Sequence, residues 1–279
     1  MINVKDIRIR DPFILTDKKN KKYYMYGTTS LKEELSTGNS FSVYESADLV
    51  WFSEPKVIFQ DEAFWADRDF WAAEVHYYKG KYYLFGSFKA KNRCRATQIL
   101  VSNSPAGKFV PLSDKPVTPI DWECLDGTLY VENDIPYVVF CREWVSVYDG
   151  EIYAQRLTDD LKETVGKPQL LFRASENPYL KPFMQKDGKN CYVTDGPFLY
   201  HDGKRLNMIW SSFRESKYLV LQAYSDSLLS KWHHVDTPYF GQDGGHSMLF
   251  EDFDGTTYIA LHQPNIPPFE RAVFIKYNK

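Results

Sequence analysis

The sequence predicts an all-β protein, folded as a single five-bladed β-propeller over residues 1–279. A pattern of one polar residue, a short apolar strand, a turn and an aromatic-rich strand occurs five times along the chain. The leading polar residues of successive copies lie 63, 52, 69 and 51 positions apart, which suits four strands per blade. The 20 Tyr, 19 Phe and 7 Trp residues favour strands, and no stretch shows a sustained helical periodicity. A repeated unit of this kind is typical of a propeller.

The copies follow one another in order, and each is expected to open a blade. They read DPFILTDKKNKKYYMYGTTS from Asp11, AEVHYYKGKYYLFGSF with Glu74 in the leading position, DGTLYVENDIPYVVFC from Asp126, DGPFLYHDGKRLNMIWSS from Asp195, and GHSMLFEDFDGTTYIALH led by His246. Copies two to five turn at pairs that favour hairpins, namely Lys79-Gly80, Asn133-Asp134, Asp202-Gly203 and Asp254-Gly255. Further strands are expected at 41–48, 97–104, 151–157 and 219–227.

The last blade has little chain left to complete it. After the fifth copy, only the segment RAVFIKYN has the composition of a strand. We therefore expect the N-terminal segment Ile2–Ile9 to close the ring against the last blade and to cover its edge.

Bulk properties narrow the range of partners. The net charge is -3 and no long run of Lys or Arg occurs, so neither nucleic acid nor an anionic membrane is expected as a partner. The apolar runs are too short to span a membrane, and the N-terminus MINVKDIRIRD lacks the apolar core of a signal peptide. The chain as written is therefore cytoplasmic, or periplasmic or secreted if a signal peptide has been removed. Four cysteines without a C-x-x-C pair are expected to be buried free thiols.

Propeller geometry gives the five leading residues a common location. If each copy begins the innermost strand of a blade, then Asp11, Glu74, Asp126, Asp195 and His246 approach one end of the central axis. Turn chemistry alone explains one or two acidic residues at strand starts, but not five in register. We expect a funnel ringed by four acids and one histidine.

At these residues the chain resembles glycoside hydrolase family 43, from Ile9 to about Leu261. The matching stretches are IRDPFIL with YYMYGT, WAAEVHYYKGKYYLFGS, LDGTLYVENDIPYVVF, TDGPFLYHDGKRLNMIWSS and GGHSMLF. The resemblance implies an inverting hydrolase of plant-type glycans, an α-L-arabinofuranosidase or a β-xylosidase. Relatives with a TDGPF-like blade act on other furanosides, so a β-galactofuranosidase-like hydrolase is an alternative. Oligosaccharides or polysaccharide side chains are the expected substrates.

The resemblance assigns a role to each aspartate. Asp11 matches the general base, Asp126 the carboxylate that orients the acid and raises its pKa, and Asp195 the general acid. An inverting glycosidase needs two such carboxyl groups in opposite protonation states, one to activate water and one to protonate the departing oxygen. Burial and a nearby like charge together keep an acid protonated.

The acid is where the sequence departs from the family pattern. The family has Glu in an EGP context, whereas this chain has Asp195-Gly196-Pro197, and Asp is one methylene shorter. Three alternatives follow: a site reshaped around Asp195, proton donation by Glu143 or Glu123, or a catalytically degenerate propeller that only binds sugar. Glu123 lies in a WEC motif similar to that of family 32, but no blade precedes Arg10-Asp11-Pro12 here, so that family is a distant alternative.

Substrate-binding groups are expected around the carboxylates. Trp71 could stack on a sugar face, and Glu74 could bind sugar hydroxyls. Arg214 resembles the family arginine near the catalytic water, and His246 resembles an axial histidine that lies near a calcium ion or a water. Any calcium at the axis near His246 is expected to be structural, and no cofactor is required. The remaining histidines, His262 among them, show no ligand spacing, so solvated or structural roles are expected.

Overall fold

Five antiparallel sheets form the blades in the computed structural model, which describes residues 1–29 and 39–277. The first blade contains β1 (Ile2–Asn3), β2 (Arg10–Asp17), β3 (Lys22–Thr28), β4 (Phe41–Ser46), β5 (Trp51–Phe52) and β6 (Lys56–Phe59). The second contains β7 (Arg68–Tyr78), β8 (Lys81–Ala90), β9 (Arg93–Ser102) and β10 (Val110–Pro111). The third contains β11 (Cys124–Glu132), β12 (Ile135–Arg142), β13 (Glu151–Leu157) and β14 (Thr164–Arg173), with the short helix α1 (Trp144–Val147) between β12 and β13.

The second half of the ring follows a small hairpin of β15 (Met184–Lys186) and β16 (Lys189–Cys191). The fourth blade contains β17 (Asp195–His201), β18 (Leu206–Arg214), β19 (Lys217–Ser225) and β20 (His233–His234). The fifth contains β21 (Gly245–Glu251), β22 (Thr257–Gln263) and β23 (Arg271–Lys276). The first strand of each copy contacts that of the next, and β21 packs against β2, so the ring closes. The predicted five-bladed propeller is confirmed.

The N-terminal segment lies between the first and last blades. Residues Ile2–Asn3 pair with β5 of the first blade, while Arg8 forms a single bridge to Arg271 of β23. The N–H of Ile9 also donates to the carbonyl of Glu270 at 3.3 Å. The segment therefore ties the two blades together, but it does not add a full fourth strand to the fifth blade as a simple closing strand would.

Aromatic side chains fill the space between neighbouring sheets. Phe59, Phe70 and Phe88 are fully buried between the first two blades, and Phe70 meets Phe88 edge-on with ring centroids 4.8 Å apart. Edge-to-face aromatic pairs add stabilisation beyond the area that they bury. All four cysteines are free thiols; three are buried and Cys94 is half-buried. Among the described residues, no helix is long and apolar enough to cross a membrane.

Every innermost strand carries the same irregularity near its start. The pairing register shifts between Arg10 and Phe13, Trp71 and Glu74, Leu125 and Thr128, Asp195 and Phe198, and Gly245 and Met248. In each pair, the residue that directly follows the first member has a positive φ. These residues are Asp11 (55°), Ala72 (49°), Asp126 (56°), Gly196 (49°) and His246 (50°). Such bulges re-aim side chains at the edge of an active site.

The repeated bulge corrects the expected register of the leading residues. Asp11, Asp126 and His246 occupy the same position of their strands, as predicted. Asp195, however, precedes that position by one residue, and Glu74 follows it by two. Because consecutive strand residues point in different directions, the five leading residues cannot all face the funnel in the same way.

Candidate active site at the end of the propeller axis

One cavity of about 260 Å³ opens where the innermost strands begin. Its wall includes Asp11, Asp126, Asp195 and His246, which come from four different blades. The structure thus brings together four of the five residues that the repeats predict to converge. The cavity is close to the lower end of the size range for small-molecule sites, and this suits one sugar ring with a water beside it.

Asp11 is buried and held from three sides. Its Oδ2 accepts a hydrogen bond from Thr28 Oγ1 at 2.6 Å, and its Oδ1 lies 3.3 Å from His246 Nδ1. Thr28 Oγ1 in turn accepts from the N–H of Ala72, so its proton points to Asp11. Burial raises the pKa of Asp11, but several neighbours together outweigh that effect, and the pKa lies below its ordinary value. The neighbours that lower the pKa are, from the largest effect to the smallest, His246, His262, Arg10 and the hydrogen bond from Thr28. Asp11 is therefore ionised at neutral pH.

His262 supports Asp11 as a neutral acceptor. The backbone N–H of Asp11 donates to His262 Nδ1 at 3.1 Å, so the ring proton resides on Nε2, which lies 3.0 Å from Asn265 Oδ1. Burial lowers the pKa of His262 to about 4, and the charge of Arg10 adds to this. The 3.4 Å contact between His262 Nδ1 and Asp11 Oδ1 is consequently not an ion pair at neutral pH.

Asp126 connects the third and fourth blades. Its Oδ2 accepts from the N–H of Gly196 at 3.0 Å, while its own N–H donates to Ser87 Oγ at 2.8 Å. Burial raises the pKa of Asp126 to about 6; His246 opposes this rise and the charge of Asp11 adds to it. The carboxyl thus fixes the residue that directly follows Asp195.

Asp195 lies in the cavity wall and is only partly exposed. Its Oδ2 accepts a hydrogen bond from the hydroxyl of Tyr218 at 3.1 Å. Burial raises the pKa of Asp195 to about 8, and the charge of Asp126 adds to it. Asp11 and Asp195 therefore hold opposite protonation states at neutral pH within one cavity.

His246 offsets the negative charge between the aspartates. Burial lowers its pKa, but the carboxylates of Asp11 and Asp126 more than compensate, and the pKa rises above its ordinary value. Its Nδ1 faces Asp11 at 3.3 Å and Asp126 at 3.7 Å. Calcium requires six to eight oxygen ligands, and within 1–29 and 39–277 no three His, Cys, Asp or Glu side chains are arranged so that they could hold a metal ion. These residues do not fit a directly coordinated calcium.

The two alternative acids differ in their surroundings. Both carboxylate oxygens of Glu123 accept from Lys89 Nζ, at 2.6 and 2.7 Å, and Oε2 also accepts from the N–H of Arg95. Burial raises the pKa of Glu123, but these partners lower it further, and the residue lies outside the cavity wall. Glu143 does line the cavity; burial raises its pKa although Arg95, 3.3 Å away, opposes the rise. Glu143 is thus the alternative that the geometry leaves open.

The expected binding residues divide into two groups. Trp71 lines the cavity, and the guanidinium of Arg95 lies 3.7 Å from the centre of its ring, so only the opposite face is available to a sugar. Glu74 and Arg214 lie outside the cavity wall. The carboxylate of Glu74 contacts His76 Nε2 at 3.0 Å, and the guanidinium of Arg214 donates to the carbonyl of Tyr179 at 2.9 Å.

Several cavity residues escaped sequence reasoning. Arg10 lines the cavity in place of Arg214 and forms an ion pair with the fully buried Glu270 at 3.4 Å. The place of Arg10 in the RDP motif was a usable signal. His262 lies behind Asp11 rather than in the cavity wall, and its place opposite Gly245 in the fifth hairpin was a second signal. No local pattern marks Tyr218, which reaches Asp195 only because β18 and β19 are paired.

The pH dependence of stability tests the neutral state of His262. Because its pKa falls from 6.5 to about 4 on folding, the unfolded chain binds a proton between these values that the folded chain does not. His262 thus makes the protein less stable as the pH falls through this window, by about 3 kcal/mol in all. In His262→Asn, whose amide oxygen lies near the position of Nδ1 and can accept the Asp11 N–H without titrating, we expect a smaller loss of unfolding free energy between pH 7 and 4.5. Denaturant titrations at each pH measure it, and equal losses in parent and variant would contradict the assignment.

A five-bladed propeller that holds one ionised and one protonated carboxyl group in an axial cavity has the two groups that glycoside hydrolysis requires. The family model of glycosyl hydrolases family 43 matches residues 3–277. The chain belongs to glycoside hydrolase family 43 and is a glycosidase that acts on O-glycosyl bonds.

The chain is also similar to solved structures. An endo-arabinase from Bacteroides thetaiotaomicron VPI-5482 is 42% identical, with a TM-score of 0.92 over 100% of this chain and 97% of that chain. A thermostable family-43 glycoside hydrolase is 22% identical, with a TM-score of 0.79 over 97% and 90%. An endo-1,4-beta-xylanase from the same Bacteroides strain is 22% identical, with a TM-score of 0.76 over 98% and 91%. No curated protein sequence matches the chain.

Proposed function

We propose that this glycosidase is an inverting hydrolase of α-L-arabinofuranosyl linkages, with Asp11 as general base and Asp195 as general acid. The observation that carries the mechanism is the opposite pKa shift of these two carboxyl groups in one cavity. The sugar assignment rests on the likeness to the endo-arabinase, which extends over the whole of this chain.

In the proposed reaction, a water lies between Asp11 and the anomeric carbon. Asp11 takes a proton from this water as its oxygen forms the new bond to that carbon. Asp195 gives its proton to the glycosidic oxygen as the old bond breaks, so the leaving alcohol departs neutral. The cycle ends with Asp11 protonated and Asp195 ionised, and exchange with solvent restores both.

Asp126 acts in this scheme through Asp195. Its negative charge favours the protonated form of Asp195, and its bond to the N–H of Gly196 fixes the backbone beside the acid. Trp71 supplies an aromatic face against the sugar, and Arg10 is a fixed donor beside Asp11.

A substrate comparison tests the proposal. Aryl α-L-arabinofuranoside, β-xyloside and β-galactofuranoside are compared with linear arabino- and xylo-oligosaccharides, and proton NMR records the first anomer released. We expect cleavage of the arabinofuranosyl substrates with inversion. Preferred turnover of the xyloside or the galactofuranoside would replace the sugar assignment, and a retained anomer would exclude the mechanism. No turnover of any substrate together with sugar binding would favour a catalytically degenerate propeller.

A further inference from the structure

The phenol of Tyr218 is built into the cavity wall. Tyr218 is 2% exposed and is the second residue of β19, where its backbone N–H donates to Asp243 Oδ1 at 3.2 Å. Its ring stacks on that of His262, with centroids 5.5 Å apart and planes 22° apart, and packs against Phe213 at 4.8 Å. With the ring held on two sides, the hydroxyl has one defined position.

The fifth blade leaves room for this ring. A Cβ atom on Gly245 would lie 2.5 Å from Tyr218 Cε1, closer than any side chain tolerates. Gly245 is equivalent in its strand to Arg10, Trp71, Leu125 and Asp195, all of which carry side chains into the cavity wall. The fifth blade has no side chain at this position, and the ring of Tyr218 occupies the space that a side chain would fill.

The hydrogen bond between Tyr218 and Asp195 has a defined direction. Burial and the neighbouring carboxylates raise the pKa of Tyr218 well above its ordinary value, so the phenol keeps its proton and donates it to Asp195 Oδ2. An oxygen that accepts this bond is the poorer site for the acidic proton, which consequently resides on Oδ1.

We propose that Tyr218 is the positioning residue of the general acid: it fixes Asp195 through Oδ2 and leaves Oδ1 to protonate the departing oxygen. This inference rests on the proposed role of Asp195. Asp195 reaches one methylene less far than the Glu of the related motif, so a donor that sets its rotamer compensates for the shorter side chain. A misplacement of about 1 Å can lower the rate by roughly 10².

The charged and titratable groups that face Asp195 are Asp126 on β11, Cys141 on β12, Glu143 before α1, His246 on β21, and Tyr218 itself. Removal of the Tyr218 hydroxyl leaves the other four in place. Because the lost hydrogen bond favoured the ionised carboxylate, its absence raises the pKa of Asp195. A hydrogen bond of ordinary strength to a charged group contributes a free energy that corresponds to a pKa shift of about one unit.

The test is the pH profile of kcat/KM for Tyr218→Phe on an arabino-oligosaccharide and on an activated aryl arabinofuranoside. We expect the basic limb of the pH profile to shift to higher pH by about one unit, because the pKa of Asp195 rises. We also expect kcat on the oligosaccharide to fall by roughly 10–100-fold, with little change in KM and a smaller loss on the aryl substrate. Tyr200→Phe is the matched control, since the Tyr200 hydroxyl pairs with Tyr277 outside this cavity and its loss should leave the profile unchanged.

Other results would overturn the inference. An unmoved basic limb, or an equal loss on both substrates, would reduce Tyr218 to a packing residue. Tyr218→Leu also lacks the hydroxyl and must move the limb in the same direction, with circular dichroism to verify the fold of both variants. Failure of the proposed function itself looks different: the parent would then be inactive, or Asp195→Asn would leave the oligosaccharide rate unchanged.

Discussion

Replacement of Asp195 by Asn is expected to lower turnover of arabino-oligosaccharides by about 10²–10⁴-fold, because the departing alkoxide loses its proton donor. An aryl leaving group is stable as an anion and needs far less help, so the same variant should retain much of the parent activity on an aryl substrate. The basic limb near the Asp195 pKa of about 8 should also disappear from the aryl profile. Asn has nearly the shape of Asp and still accepts from Tyr218, which argues against misfolding as the cause.

Glu143 and Glu123 provide the controls for this result. Glu143 shares the cavity with a raised pKa, whereas Glu123 is held as an ion pair with Lys89 outside it. If Glu143→Gln shows the leaving-group-dependent loss while Asp195→Asn cleaves oligosaccharides normally, Glu143 is the acid. Glu123→Gln should show no leaving-group dependence in either case.

Replacement of Asp11 by Asn is expected to abolish turnover of both substrates, with a loss of about 10³-fold or more, because water lacks its base whatever group departs. The acid variant and the base variant therefore differ on the aryl substrate alone. Steady-state rates on the two substrates measure this difference. Substantial aryl activity in Asp11→Asn would assign the base elsewhere.

Added azide sharpens the comparison. Azide is a nucleophile that needs no general base, so it can attack the anomeric carbon of the aryl substrate in Asp11→Asn and form a glycosyl azide. If azide raises the rate of Asp11→Asn but not that of the parent, the missing base lies on the face of the sugar that water attacks.

The sequence by itself determined the blade count and most of the axial residues. Short apolar strands, turn-forming residues and aromatic-rich strands act locally, so five similar segments specify five similar hairpins. Asp11, Asp126 and His246 lie at the same position of their hairpins, and the ring therefore brings them together. Equivalent positions of a repeat meet whenever the repeats close, which is why the sequence could predict this convergence.

Only the tertiary structure decided what each group does at the axis. The bulge at the start of every innermost strand offsets Asp195 by one residue and Glu74 by two, and a one-residue offset changes the direction of a side chain. Arg214 points to Tyr179, while Arg10 and Tyr218 reach the cavity through partners distant in the chain. Burial raises the pKa of both Asp11 and Asp195; the pKa values diverge because His246 and His262 lower that of Asp11 while Asp126 adds to the rise of that of Asp195. Electrostatic interactions between blades leave no local pattern in a sequence.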